Sequence, residues 1–187
     1  YFKRKAFIGN MLIAGLTGMV PLLVGFYFYH HPMLEAATID TGVKPFLNAF
    51  GKQYIVFIVT AIAFFAFLLN LAREIVKDIE DIEGDKRLKA KTLPIVAGIR
   101  NAKLITYFIL TAVLSAVVLL VTMFPIRDIN SLHPIILATI FSTLAIFMLI
   151  MAESKKQLKW VNSIIKIAMI FGTLAPIYWK ILLLYEN

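Results

Sequence analysis

The sequence predicts an all-α fold, a polytopic bundle of transmembrane helices. Hydrophobic residues make up 60% of the chain, the mean hydropathy is +0.84, and the apolar residues fall into five long runs separated by charged segments. Each run can cross a hydrocarbon layer of roughly 30 Å, which needs about 20 helical residues. Basic residues at the membrane surface explain the net charge of +8, so no nucleic-acid partner is expected.

The expected spans cover approximately residues 6–29, 53–72, 103–124, 133–152 and 161–184. Four glycines in the first span favour close helix packing, or else the approach of a ligand: Gly9, Gly15, Gly18 and Gly25. Asn10 in the same span either lines a cavity or takes part in helix packing. Lys166 lies several residues into the last span, and we expect its long side chain to reach the cytoplasmic surface.

The basic residues predict the orientation in the membrane. Fifteen of the 19 Lys and Arg residues lie on the side of the bundle that carries the N-terminus and the segments around residues 73–103 and 155–166. Since cytoplasmic loops are enriched in Lys and Arg, this side is predicted to be cytoplasmic. The chain is thus expected to be a multi-pass protein of the plasma or inner membrane, with its C-terminus outside.

The segment from Glu74 to Asp85 reads EIVKDIEDIEGD and holds six of the 11 acidic residues. Four of its acids are spaced i, i+4, i+7 and i+11, which places them on one face of a helix: Glu74, Asp78, Asp81 and Asp85. Carboxylates stacked in this way repel one another unless a cation lies between them. Because oxygen-rich clusters suit Mg²⁺, the spacing predicts a magnesium site.

Basic residues follow this acidic segment at once: Lys86, Arg87, Lys89 and Lys91. A solvated loop whose charges neutralise one another is one interpretation. Against it, the acids keep a helical spacing and begin at the membrane end of a span, where ionisable residues tend to be functional. Asn70 and Arg73 extend the polar face into that span. Metal-binding carboxylates beside Lys and Arg suit a lipid diphosphate.

The stretch REIVKDIEDIEGDKRLKAKTLPIVAG resembles the second aspartate motif of the UbiA-type membrane prenyltransferases, whose Asp-x-x-x-Asp core matches Asp81 and Asp85. The opening YFKRKAFIGNMLIAGLTG resembles the Lys-Arg element before the fifth span of that family. The resemblance implies a single transmembrane prenyltransferase domain over residues 1–187, equivalent to spans five to nine of a nine-helix fold. The acidic motif is most similar to those of enzymes that prenylate geranylgeranylglyceryl phosphate or homogentisate, and the former is the preferred acceptor.

The resemblance also implies roles for individual residues. Mg²⁺ is expected on Asp78, Asp81, Asp85 and Glu74, where it would bind a prenyl diphosphate. Asp81, Asp85 and Lys91 are the expected catalytic residues, and four others are expected to bind substrate: Arg73, Asn70, Lys3 and Asn10. The implied reaction takes place in the membrane, surrounded by membrane lipid. It forms an allylic carbocation, which is attacked by a lipid-like or aromatic acceptor.

The chain departs from the family pattern in one respect. The family has a first motif, Asn-x-x-x-Asp-x-x-x-Asp, near its second span, and this sequence contains no second acidic cluster. Asn70, Glu74 and Asp78 echo the spacing but belong to the helix of the second motif. We therefore expect these residues to supply one wall of the site, with the N-terminal spans missing from the chain.

Two functions of other classes remain open at this point. A cation transporter could use the acids as an ion site, but such sites lie near the bilayer midplane. A non-catalytic membrane scaffold could bind a partner through the charged segment, and it would show no dependence on metal.

Overall fold

The computed structural model describes the backbone of residues 7–30, 44–123 and 132–185, with side chains for residues 7–27, 56–122, 132–175 and 178. Its helices are α1 (Ile8–His30), α2 (Lys44–Glu80), α3 (Ile82–Arg87), α4 (Leu93–Ala97), α5 (Ile99–Met123), α6 (His133–Met151) and α7 (Lys155–Tyr185). Five of these, α1, α2, α5, α6 and α7, are long and apolar enough to span a membrane. The prediction of an all-α polytopic bundle is confirmed.

Helix α2 lies at the centre of the bundle, in contact with α1, α5 and α7. Helix α6 completes the arrangement by packing on α5 and α7. Fully buried aliphatic side chains join these helices, among them Ile75 of α2, Leu110 of α5, Leu149 of α6 and Ile165 of α7. Lys103 of α5 donates to the backbone carbonyl of Ala152, which ties α5 to the junction between α6 and α7.

Helices α1 and α2 pack closely because small residues line their contact. A Cβ atom on Gly25 would lie 2.4 Å from Cγ1 of Val59, and one on Gly18 would lie 3.0 Å from the carbonyl oxygen of Ala63. These two glycines therefore act in helix packing, as expected for the first span. A Cβ atom on Gly15 would meet no atom within 4 Å.

Helix α2 continues about two turns beyond the expected end of the second span. The apolar run stops near residue 72, but the helix continues to Glu80. Charged residues with good helix propensity carry it onward, while Ile75, Val76 and Ile79 remain buried on its inner face. The helix therefore brings the first acids of the motif into the bundle.

The backbone angles of Asp81 divide α2 from α3, but helical hydrogen bonds continue across this residue. Its amide donates to Lys77 at 2.9 Å, and its carbonyl accepts from Asp85 at 3.0 Å. Helix α3 then ends in a Schellman motif, in which Ala90 donates to the Asp85 carbonyl and Lys89 adopts a positive φ of 51°. The helical path thus holds across the acidic motif as far as Asp85.

Helix α7 begins six residues before the expected start of the last span. A capping box explains this position: the Gln157 amide donates to Oγ of Ser154 at 3.3 Å, and the Ser154 amide donates to Oε1 of Gln157 at 2.9 Å. The basic residues Lys155 and Lys159 therefore belong to the helix.

Candidate functional site

A ladder of polar contacts crosses the interface between α1 and α2. Asn10 of α1 donates from Nδ2 to Oδ2 of Asp78 at 2.7 Å. Asn70 of α2 donates from Nδ2 to Oγ1 of Thr17 at 2.9 Å. Asn70 is 3% exposed and Asn10 is 8% exposed, so both contacts are shielded from solvent. Hydrogen bonds of this kind between membrane helices contribute about 0.6 kcal/mol on average, and they fix the register of the two helices.

Arg73, which is partly exposed, and the buried Glu74 form an ion pair beside this ladder. Nη1 of Arg73 donates to Oδ1 of Asn70 at 3.0 Å and to Oε1 of Glu74 at 2.9 Å. Glu74 is 7% exposed, and the guanidinium group is its ion-pair partner. Nε of Arg73 is also buried and has no hydrogen-bond partner. The guanidinium group therefore retains an unused donor next to the acidic face.

Asp81 lies farther along the motif and faces a different helix. Its Oδ1 is 3.5 Å from Nζ of Lys155, at the start of α7. Both side chains are about half exposed, so the ion pair adds little to stability. It nevertheless shows that the first turn of α7 meets the acidic motif.

The predicted site residues are brought together in part. Asn10, Asn70 and Asp78 join α1 to α2, and Arg73 and Glu74 are linked to Asn70 within α2. The remaining members of the predicted site are placed as follows: Asp81 beside α7, Asp85 half-buried on α3, Lys91 exposed after α3, and Lys3 outside the described residues. Within the described ranges, no three acidic or histidine side chains converge as a metal-binding group.

Thr17 and Lys155 were not predicted from the sequence as site residues. Thr17 lies seven residues after Asn10, which is a helical spacing that puts both on the same face, so the pattern could have identified it. The contact of Lys155 with Asp81 joins residues far apart in the chain, and only the packing of α7 against α2 brings them together.

The donor set fits magnesium bound together with a substrate. Mg²⁺ is usually held by one or two carboxylates plus substrate phosphate oxygens and water, and dedicated all-protein cages are uncommon. Asp78 and Asp81 lie about one helical turn apart, and both offer carboxylate oxygens near the C-terminal end of α2. The chemistry of these donors suits the ion, without a third acidic ligand from the same helix.

Comparison with known proteins gives consistent matches. The sequence model for the UbiA prenyltransferase family matches residues 1–179. A digeranylgeranylglyceryl phosphate synthase from Methanosphaera stadtmanae is 33% identical over 172 residues, which are 91% of this chain and 53% of that protein. An enzyme of the same name from Thermococcus gammatolerans is 40% identical over 106 residues, which are 57% of this chain and 29% of that protein.

A third relative with this name, from Methanococcus maripaludis, is 28% identical over 180 residues, covering 92% of this chain and 55% of its own length. The chain thus spans about half the length of the curated relatives that it matches end to end. No solved structure gives a significant match.

Proposed function

Because this chain belongs to the UbiA prenyltransferase family, we propose that it is part of an enzyme that transfers a prenyl group from a prenyl diphosphate to a lipid-like acceptor. The observation that carries the proposal is the buried polar ladder between α1 and α2, which ends at the acidic motif. Placing Asn70, Arg73 and Glu74 inside a membrane helix is costly, and such residues mark substrate sites.

The geranylgeranylglyceryl phosphate class is the acceptor that we propose. The acidic motif supports it through its resemblance to enzymes of that class, and three relatives carry the name digeranylgeranylglyceryl phosphate synthase. The two relatives that align with nearly the whole chain are almost twice as long as the aligned region, so we also propose that the 187 residues are one part of a longer prenyltransferase domain.

The residues of this chain have distinct parts in the proposed reaction. Asn10 holds one oxygen of Asp78, and Lys155 holds one oxygen of Asp81, so both carboxylates are oriented before substrate arrives. Arg73, anchored on Asn70 and Glu74, presents its buried Nε to the leaving diphosphate. Lys91 and Lys3 add positive charge, which lowers the cost of separating diphosphate from the prenyl carbon.

Magnesium on Asp78, Asp81 and Asp85 would supply positive charge to the diphosphate oxygens, and Glu74 would join these ligands only by exchanging its bond to Arg73. Apolar surroundings within the bundle exclude water, which would otherwise capture the allylic carbocation. The diphosphate first departs with the bonding electron pair and leaves the allylic carbocation; the acceptor hydroxyl then attacks the cationic carbon, and its proton passes to the released diphosphate.

The position of the acids favours this function over an ion transporter. Transporter sites lie near the bilayer midplane, whereas the span of α2 covers Val56–Glu80 and its acids begin at Glu74, close to one end. A scaffold would not require a partly buried Arg–Glu pair beside an amide ladder. The arrangement instead suits a charged head group at the membrane surface with an apolar chain in the bilayer.

A transfer assay tests the proposal. The full-length parent protein in detergent, with geranylgeranyl diphosphate and Mg²⁺, is expected to prenylate geranylgeranylglyceryl phosphate and to leave homogentisate unmodified. Product formation is measured with a radiolabelled donor. Transfer to homogentisate alone would correct the acceptor, and transfer to neither acceptor at any metal concentration would contradict the function.

We also propose that the acidic motif faces the cytoplasm and that the C-terminus lies outside. The unequal distribution of Lys and Arg supports this orientation. A cysteine introduced by Lys86→Cys is expected to react with an impermeant maleimide only from the cytoplasmic side, and Asp40→Cys only from outside. The 187 residues contain no cysteine, so neither label has a competing site within them. The opposite labelling pattern would reverse the orientation.

A further inference from the structure

A basic stripe on α7 contains lysines that the reaction described above does not use. It consists of Lys155, Lys159, Asn162 and Lys166, whose spacing of i, i+4, i+7 and i+11 places them on one face of the helix. This is the same spacing as that of the four acids in the motif on α2 and α3. The stripe borders the buried face of α7, which carries Leu158, Val161 and Ile165.

Two of the three lysines in the stripe lack a counterion within the described part of the chain. Lys155 pairs with Asp81, but Lys159 and Lys166 are exposed and form no ion pair with any described residue. Like charges four residues apart on a helix repel each other. Between them, Oδ1 of Asn162 is buried and has no hydrogen-bond partner. This face of the helix therefore offers the two exposed lysine side chains to an anionic ligand.

Lys166 lies in the interior of its membrane span. The residue lies inside the span of α7, Lys155–Ala175, and six residues beyond Trp160, which is about 9 Å along the helix axis. A lysine within a membrane span is costly unless an anion or water meets it. We expected its side chain to extend to the cytoplasmic surface, but its alignment with Lys155 and Lys159 makes it part of a continuous face.

The contact between Lys155 and Asp81 places the start of the basic stripe next to the acidic motif. The stripe begins 3.5 Å from a carboxylate of the motif at which the donor diphosphate would bind. In a glyceryl phosphate acceptor, only the short glycerol backbone separates the attacking hydroxyl from the phosphate. The acceptor phosphate must therefore lie beside the acidic motif but apart from the donor diphosphate.

We propose that the basic stripe on α7 binds the phosphate group of the lipid acceptor and so selects a phosphorylated acceptor over its alcohol. This inference rests on the proposed function, since it assigns the second substrate of the same reaction. Lys159 and Lys166 pair with the phosphate oxygens.

The test uses the full-length parent protein with Lys159→Gln, Lys166→Gln and the double variant. Lys156→Gln is the matched control, because Lys156 is exposed and lies about 100° around the helix from Lys155. Lys155 is left intact since it contacts the acidic motif. The KM is measured for the phosphorylated acceptor, for its dephosphorylated alcohol and for the prenyl diphosphate.

The double variant is expected to raise the KM for the phosphorylated acceptor by roughly tenfold or more, as the loss of charge-assisted hydrogen bonds would do. The KM values for the alcohol and for the prenyl diphosphate should stay within about twofold of wild type, and Lys→Arg changes should restore the acceptor KM. A rise in the donor KM instead, or equal effects on both acceptors, would overturn the proposal. Unchanged kinetics would mean that the lysines only reach toward the membrane surface.

A binding measurement separates this inference from the proposed function. A short-chain glyceryl phosphate lipid and its alcohol are titrated calorimetrically into wild type and the double variant without donor. Preference for the phosphate form in wild type, lost in the double variant, supports the stripe even if no prenyl transfer is found. Equal binding of the two lipids by wild type would reject the stripe whether or not the enzyme is active.

Discussion

Asp81→Ala in the full-length parent protein is expected to lower kcat/KM for prenyl transfer by roughly 10³-fold or more, because the variant loses a carboxylate at the point where charge develops on the leaving diphosphate. Asp85→Ala should have an effect of the same order. Both variants should still insert into the membrane, since Asp81 is half exposed and its ion pair with Lys155 contributes little to stability. The measurement is transfer of radiolabelled prenyl group as a function of Mg²⁺ concentration.

Glu83→Ala provides the matched control for these variants. Glu83 belongs to the same acidic segment but is exposed and lies on the face opposite to Glu74. Its removal changes the local charge by the same amount and should leave kcat/KM within about threefold of wild type, since surface charges act weakly. If Glu83→Ala were as damaging as Asp81→Ala, net charge and not a defined site would be responsible. Wild-type turnover in excess chelator would exclude the metal.

Much of the fold could be predicted because the membrane constrains it strongly. A spanning segment must satisfy all its backbone hydrogen bonds internally, so long apolar runs have to be helices. The five spans follow from this rule, and each corresponds to a helix of the structure. The boundaries were harder, since α2 continues into charged sequence on buried residues such as Ile75, and α7 begins at a capping box formed by Ser154 and Gln157.

The candidate site could be predicted as a set of residues, but its pairing could not. Helical spacing placed Glu74 and Asp78 on one face, and the structure places both on α2 beside the ladder with α1. The partner of each acid depends on which helices are neighbours, and one sequence does not contain that information. Asp78 thus contacts Asn10 of α1, whereas Asp81 meets Lys155 of α7. The acids were expected to form a single cluster, whereas these two acids contact two different helices.

The 187-residue chain alone, refolded in detergent, is expected to bind prenyl diphosphate weakly and to transfer no measurable prenyl group. Its described residues hold no group of three acidic or histidine side chains suited to a metal ion, and the aligned region covers 53% of the Methanosphaera relative. A diphosphate carries several negative charges, and the acids of one helix can place a metal ion on only one side of it. Activity is measured with radiolabelled geranylgeranyl diphosphate, and binding by competition with inorganic diphosphate.

Co-expression of the chain with the N-terminal spans of the parent should restore transfer, because a facing motif supplies both charge stabilisation and the positioning of donor and acceptor. As a control, N-terminal spans in which the acids of the first motif are replaced by Ala should assemble with the chain without restoring activity. Turnover by the isolated chain at a rate comparable to the full-length protein would contradict the half-site argument. Asn70, Glu74 and Asp78 would then have to form a complete site, and Glu74 would have to exchange its bond to Arg73 for a metal ion, since its Oε1 is now 2.9 Å from that guanidinium group.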